Sequence, residues 1–144
     1  MIIVDSMLGK LARYLRIIGY EVYYITPDKD DDFIVRNSGD NIVLTRDREL
    51  HSRLKNSILI KSYEPIEQVA ELKEMLPKPE FNSWELCPIC SCKLEKVESR
   101  ENLPDYVSKF AEDIFYCPKC NKYYWQGSHT TNFKKMMGSI GLEI

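Results

Sequence analysis

The chain has 144 residues, 44% of them hydrophobic and 29% charged, with a net charge of −2 at pH 7. That length suits one ordinary domain or a small domain plus a short module, and the composition is that of a soluble globular protein. No apolar run approaches the roughly 18 residues of a membrane helix, and no global basic field announces nucleic acid, so any nucleic-acid surface has to be local.

The N-terminus opens directly on the strand-like Ile2-Ile3-Val4, ending at Asp5, and lacks the layout of a signal peptide. The expected location is therefore cytoplasmic. In a reducing compartment, paired CxxC units read as metal ligands before disulfides. Leu8, Leu11, Ala12, Leu15 and Ile18 then form the apolar stripe of a helix, which Gly19 terminates. A second strand runs from Glu21 to Ile25, rich in Val, Tyr and Ile.

After Thr26-Pro27, the acidic run Asp28 to Asp32 leads into a short helix ending near Ser38-Gly39. Asn41 to Thr45 reads as a third strand, Arg46 to Lys55 as a third helix, and Ser57 to Ile60 as a fourth strand. Pro65, favourable at the first helical position, opens a last helix with the stripe Ile66, Val69, Leu72 and Leu76. This alternation predicts an α/β domain over 1–76, a parallel sheet of about four strands with flanking helices. Its site is expected outside the carboxyl ends of the strands, where the strand order switches. Residues 77–83 hold two prolines and read as a linker, and 84–144 as a second module.

That module carries Cys87-Pro-Ile-Cys90 and Cys117-Pro-Lys-Cys120. Two residues between thiolates let both sulfurs turn to one tetrahedral centre, and two such knuckles complete a Cys₄ site for a structural zinc ion. The 26 residues between the knuckles exceed the usual spacing of a zinc ribbon, so an insert is expected there, with Pro104 to Phe110 as its candidate. Cys92 is left over as a free thiol, and the segment that closes the chain reads as a tail.

Asp5 follows the first strand, Asp31 starts the second helix and Asp47 follows the third strand. In a parallel sheet these positions can converge at one edge. Clustered carboxylates there suit Mg²⁺ or Mn²⁺, which take oxygen ligands, water and substrate phosphate. The competing reading of Asp5 and Asp31 is a plain helix cap. Lys10, Arg13 and Arg16 recur every third residue of the first helix, and Arg46 and Arg48 flank Asp47. They read as a phosphate-tracking rim or as solvated charges. His129 is either an RNA-contacting surface residue or a structural one.

Three segments resemble the Mut-seven C-terminal RNase family. They are Asp5 with Met7-Leu8-Gly9-Lys10-Leu11-Ala12-Arg13-Tyr14-Leu15-Arg16-Ile17-Ile18-Gly19-Tyr20, then Thr45-Arg46-Asp47-Arg48-Glu49-Leu50, and finally the two CPxC knuckles with Tyr124-Trp125-Gln126-Gly127-Ser128-His129. The resemblance spans nearly the whole chain. It implies a PIN-like nuclease domain followed by a Cys₄ zinc ribbon, with Asp5, Asp31, Asp47 and Glu49 at a catalytic Mg²⁺ or Mn²⁺ site. The implied activity is hydrolysis of RNA, single-stranded or structured, in RNA processing or decay. Thr45 would then bond a ligand carboxylate, Arg46 or Arg48 would hold a flanking phosphate, and Trp125 and His129 with Tyr123 and Tyr124 would extend the RNA surface, at least one of the three aromatics filling the small core of the ribbon instead. Family members often carry further acidic residues before the proline near position 65, where this chain has Tyr63 and Glu64. The alternative function is a non-catalytic RNA-binding or protein-interaction module. No membrane partner is expected, and the oligomeric state is not legible.

Overall fold

The computed structural model describes residues 1–109 and 113–144. They separate into two compact units, Met1–Ser91 and Cys92–Ile144, so residues 77–83 and the first cysteine knuckle fall in the N-terminal unit. Among the described residues, no helix is long and apolar enough to cross a membrane.

In the first unit, β1 (Ile2–Val4), β2 (Val22–Tyr24), β3 (Ile42–Thr45) and β4 (Ser57–Leu59) form a parallel sheet in the order β2-β1-β3-β4. The chain steps from β1 outward to β2, then returns to place β3 on the other side of β1. That reversal is the topological switch, and the crevice beyond the carboxyl ends of β1 and β3 is where open α/β sheets bind ligands.

Helices cover both faces. On one, α1 (Gly9–Ile18) packs against α4 (Pro65–Leu72); on the other, α2 (Asp31–Asn37) packs against α3 (Arg48–Arg53). Alternation along the strands feeds both layers. Ile3 and Val43 join Ile25, Ile34 and Leu50 in one buried cluster under α2 and α3. Val4 and Leu44 are fully buried and point the other way by the same alternation. A helix of ten residues is marginal alone in water, so α1 is held by burying Leu11, Ala12, Leu15 and Ile18. Each leucine contributes about 2 kcal/mol.

The end of α1 is fixed by backbone geometry. The Gly19 N–H bonds the carbonyl of Arg16, and the Tyr20 N–H that of Leu15, which is the Schellman closure. Gly19 has a φ of +122°, and the segment expected as a linker runs against it. Phe81 N–H donates to the Gly19 carbonyl and Trp84 N–H to that of Ile17, while the Tyr20 hydroxyl donates to the Pro77 carbonyl.

In the second unit, β5 (Glu95–Lys96), β6 (Ile114–Cys117) and β7 (Lys122–Trp125) form an antiparallel sheet in the order β5-β6-β7. The expected insert contains the short helix α5 (Asp105–Ser108), while Phe110 lies outside the described residues. One expectation is corrected. The segment read as a tail forms α6 (Ser128–Ser139), which buries Thr130, Phe133 and Met137 at spacings of three and four. Its composition is poor in strong helix formers, so the narrow stripe carried little signal.

The close approach at Gly19 yields a prediction. A Cβ there would lie 2.1 Å from the Phe81 carbonyl oxygen. Gly19→Ala should lower unfolding free energy by about 2 kcal/mol or more in urea denaturation. An unchanged midpoint would contradict this packing.

Candidate functional site

Three strand ends supply the site. Asp5 leaves β1 buried, with 7% of its surface exposed. Its Oδ1 accepts the Ser6 N–H at 2.7 Å and its Oδ2 accepts the Thr45 hydroxyl at 2.8 Å. Both oxygens therefore have to be acceptors, which a carboxylate satisfies and an amide does not. Thr45, fully buried at the end of β3, also accepts the Asp47 N–H at 3.0 Å. The threonine proton is thus directed to Asp5 and its lone pair to Asp47. Beyond β2, the Tyr24 hydroxyl donates to the Ser6 carbonyl at 2.5 Å and pins the turn that follows Asp5.

Asp47 caps α3. Its Oδ1 accepts the Glu49 and Leu50 N–H groups at 2.9 and 3.2 Å. Its Oδ2 makes no hydrogen bond among the described residues and stays available. Capping and site geometry are therefore compatible in this one side chain.

The acidic run ahead of α2 divides its labour. Asp30 is the cap, accepting the Phe33 N–H at 2.8 Å, and Asp32 pairs with Arg53 at 2.5 Å. Asp31 is the member that feels the other acids. Its carboxyl is pushed above the usual range first by burial, then by the negative charges of Asp47 and Asp5, with Glu49 adding to them and Arg53 opposing. An acid in the first turn of a helix is ordinarily stabilised by the helix dipole. Here burial and like charge outweigh that help.

The basic residues do not form one rim. Lys10 and Arg13 are exposed on α1, as is Arg48 at the start of α3. Arg16 is buried, at 7% exposure, which corrects its expected place among the RNA contacts. Its Nη1 donates to the carbonyls of Pro88 and Ile89 at 3.2 and 2.6 Å, its Nη2 to that of Val22 at 3.0 Å, and its Nε to the Ser91 hydroxyl at 2.8 Å. It braces the first knuckle instead of reaching solvent. Arg46 lies with its guanidinium carbon 3.8 Å from the ring centre of Tyr63. Arg53, Tyr24 and Tyr63 were not singled out as site residues by sequence; only tertiary structure brings them to this edge.

The sulfurs of Cys87, Cys90, Cys117 and Cys120 all lie within 4.8 Å of one another. Ligands of a tetrahedral zinc at about 2.3 Å stand ~3.8 Å apart, so this set can hold a zinc ion. The two knuckles are alike in detail. Ser91 N–H bonds the Cys87 carbonyl and Asn121 N–H the Cys117 carbonyl, both at 2.9 Å, and both residues have left-handed φ, 68° and 55°. Ser91 holds that conformation because its hydroxyl is engaged on every side, by Arg16 and by the backbone N–H and carbonyl of Val22. Cys92 is outside the sulfur cluster.

In the second unit, Tyr123, Tyr124 and Trp125 are half-buried, and Tyr123 packs on Tyr116 with ring centres 4.9 Å apart. His129 is exposed in the first turn of α6.

The profile of the Mut7-C RNAse domain family matches residues 1–137. No curated protein and no solved structure matches the chain significantly.

Two outcomes follow from this geometry. Arg16→Met strands the carbonyls of Pro88 and Ile89, while that of Val22 keeps the Ser91 hydroxyl, and hydrogen bonds from a charged donor contribute about 1.5–3 kcal/mol. The variant should lose about 3 kcal/mol of stability and bind zinc more weakly in a chelator competition, whereas Arg13→Met should do neither. Asp31 has its folded pKa raised, so the folded state binds the extra proton. Wild-type stability should therefore fall as pH rises from the ordinary carboxylate value through the raised one, and the penalty should persist above it. Without added Mg²⁺ or Mn²⁺, Asp31→Asn should be more stable than wild type at pH 8. That gain should shrink as pH falls through the raised value, as measured by urea denaturation across pH.

Proposed function

The chain belongs to the Mut7-C RNAse domain family, and we propose that it is a metal-dependent ribonuclease that hydrolyses RNA phosphodiester bonds, in RNA processing or decay. The observation that carries this reading is that Asp5, bonded to Thr45 where β1 and β3 end, Asp47 and Glu49 all lie near enough to Asp31 to raise its carboxyl. Negative charge that Arg53 offsets only in part gathers there, at a sheet edge suited to ligands.

The donor chemistry, carboxylate oxygens, is that of a hard divalent cation, although among the described residues these carboxylates do not gather within 4.8 Å of one another as the cysteine sulfurs do. Mg²⁺ and Mn²⁺ sites of this kind leave positions for water and phosphate. Asp5, Asp31 and Asp47 are the proposed ligands, with Glu49 beside them. When bound, such an ion makes a water more acidic and offsets charge on the scissile phosphate.

The protein's own groups supply position and electrostatics. Thr45 orients Asp5 through a buried hydrogen bond and ties it to the backbone of Asp47. Asp47 spends one oxygen on α3 and leaves the other for the site. Arg46 and Arg48 flank Asp47 and are proposed to hold phosphates next to the scissile bond, while Lys10 and Arg13 add charge along the strand. In the second unit, Trp125 and His129 are the proposed RNA contacts, and the four cysteines close all positions of a zinc whose role is structural.

Asp47→Asn is the discriminating variant. Asparagine caps helices about as well as aspartate, so stability should stay within about 0.5 kcal/mol of wild type. Cleavage of single-stranded RNA in Mg²⁺ or Mn²⁺ should fall about 100-fold or more, since even partners of metal ligands cost 10–100-fold when lost. Equal background cleavage by wild type and variant would end the enzyme reading, and RNA binding retained by both would turn it into a binding module.

A further inference from the structure

Tyr63 is the most exposed of the protein's large hydrophobic side chains among the described residues, at 79%, yet the residues just before it are tied to α4. The loop after β4 is held from α4. The Glu71 carboxylate accepts the Lys61 N–H and both the N–H and hydroxyl of Ser62. The Gln68 amide donates to the carbonyls of Ser62 and Tyr63 at 2.9 and 3.4 Å. Burial raises the Glu71 pKa, but the hydrogen bonds from Ser62 and Lys61 outweigh it and hold the carboxyl below its usual range. A rigid loop thus presents a large ring to solvent, although the tyrosine hydroxyl has no partner among the described residues.

One face of that ring is already used. The Arg46 guanidinium carbon sits 3.8 Å from its centre, and the Arg46 Nε is buried without a hydrogen-bond partner among the described residues. The arginine makes no hydrogen bond or ion pair among them, although Asp47 follows it in the chain. It is therefore positioned by stacking and keeps its remaining N–H groups for an outside acceptor. Because β3 pairs directly with β4, the loops carrying Arg46 and Tyr63 are neighbours at the carboxyl edge of the sheet.

We propose that Tyr63 and Arg46 form a single-nucleotide seat beside the acidic centre, with an unpaired base stacked on the open face of Tyr63 and its phosphate on Arg46. The proposal deepens the ribonuclease reading and rests on it. A flat ring backed by a cation suits a base, since every base has a face to stack, and a planar guanidinium suits a phosphate. The seat sets which nucleotide lies next to the scissile bond. It favours the bases of single strands, because inside a duplex both faces of a base are covered by its stacked neighbours.

The test uses the full chain and a fluorescein-labelled ten-nucleotide single-stranded RNA without added divalent ion, read by anisotropy. Tyr63→Ala should bind about tenfold more weakly, while Tyr63→Phe should match wild type. Moving one abasic position along the RNA should find a site whose loss weakens wild type by a similar factor and leaves Tyr63→Ala unaffected. Thermal melting should show the variants folded, as expected for an exposed ring. If wild type binds RNA and Tyr63→Ala binds it equally well, the seat is refuted while the ribonuclease reading stands. If wild type neither binds nor cleaves RNA with Mg²⁺ or Mn²⁺ present, both fall together.

Discussion

The hydrogen bond from the buried Thr45 hydroxyl to the Asp5 carboxylate joins the ends of the two central strands where the sheet reverses its order. The β3 side of the acidic edge takes its position from it. The same hydroxyl fixes the backbone of Asp47, Asp47 starts α3, and α3 carries Glu49 and Arg53 to the site. A buried carboxylate is costly unless its oxygens are satisfied. Here the Ser6 N–H and the Thr45 hydroxyl satisfy one oxygen each.

That arrangement sets one acid against another. Asp5 and Asp47 have their own donors, and Asp30 and Asp32 have a cap and an arginine. Asp31 is raised by burial and by the charges of Asp47 and Asp5, which Arg53 offsets only in part. Local strain of this kind is retained in folded proteins when the surrounding structure over-determines it, and functional sites are where it gathers. A cation entering the edge would relieve it.

How far the sequence carries is decided by the range of the interaction. The β-α alternation, and with it the four-stranded parallel sheet, is written in short-range periodicity, as are Asp5 and Asp47 at strand ends. The cysteine set is written in its spacing. Arg16 was misplaced because a spacing of three looks like one helix face, whereas a residue turns about 100°. Two such steps therefore carry Arg16 about 120° round from Lys10, to the border of the Leu11-Leu15 stripe. The choice among Asp30, Asp31 and Asp32 needs the charges of Asp5 and Asp47, which are distant in sequence. The Arg46–Tyr63 stack needs the pairing of β3 with β4, and α6 needs a core that its weak stripe does not announce.

Arg16 also shows how the knuckle and α1 depend on each other. A guanidinium this buried is tolerable only if its N–H groups meet acceptors held still. Those acceptors are the carbonyls of Pro88 and Ile89, inside the Cys87–Cys90 turn, and the hydroxyl of Ser91 just after it. A metal gripping both cysteines would hold that turn rigid, and the arginine in turn organises the turn that presents them. Two thiolates alone on a mobile loop would repel each other and bind poorly. The soft cysteine set and the hard carboxylate edge also sort metals by chemistry, thiolates selecting zinc and carboxylates Mg²⁺ or Mn²⁺. A zinc held by the cysteines would, through the Arg16 brace, also steady the helix that begins four residues after Asp5.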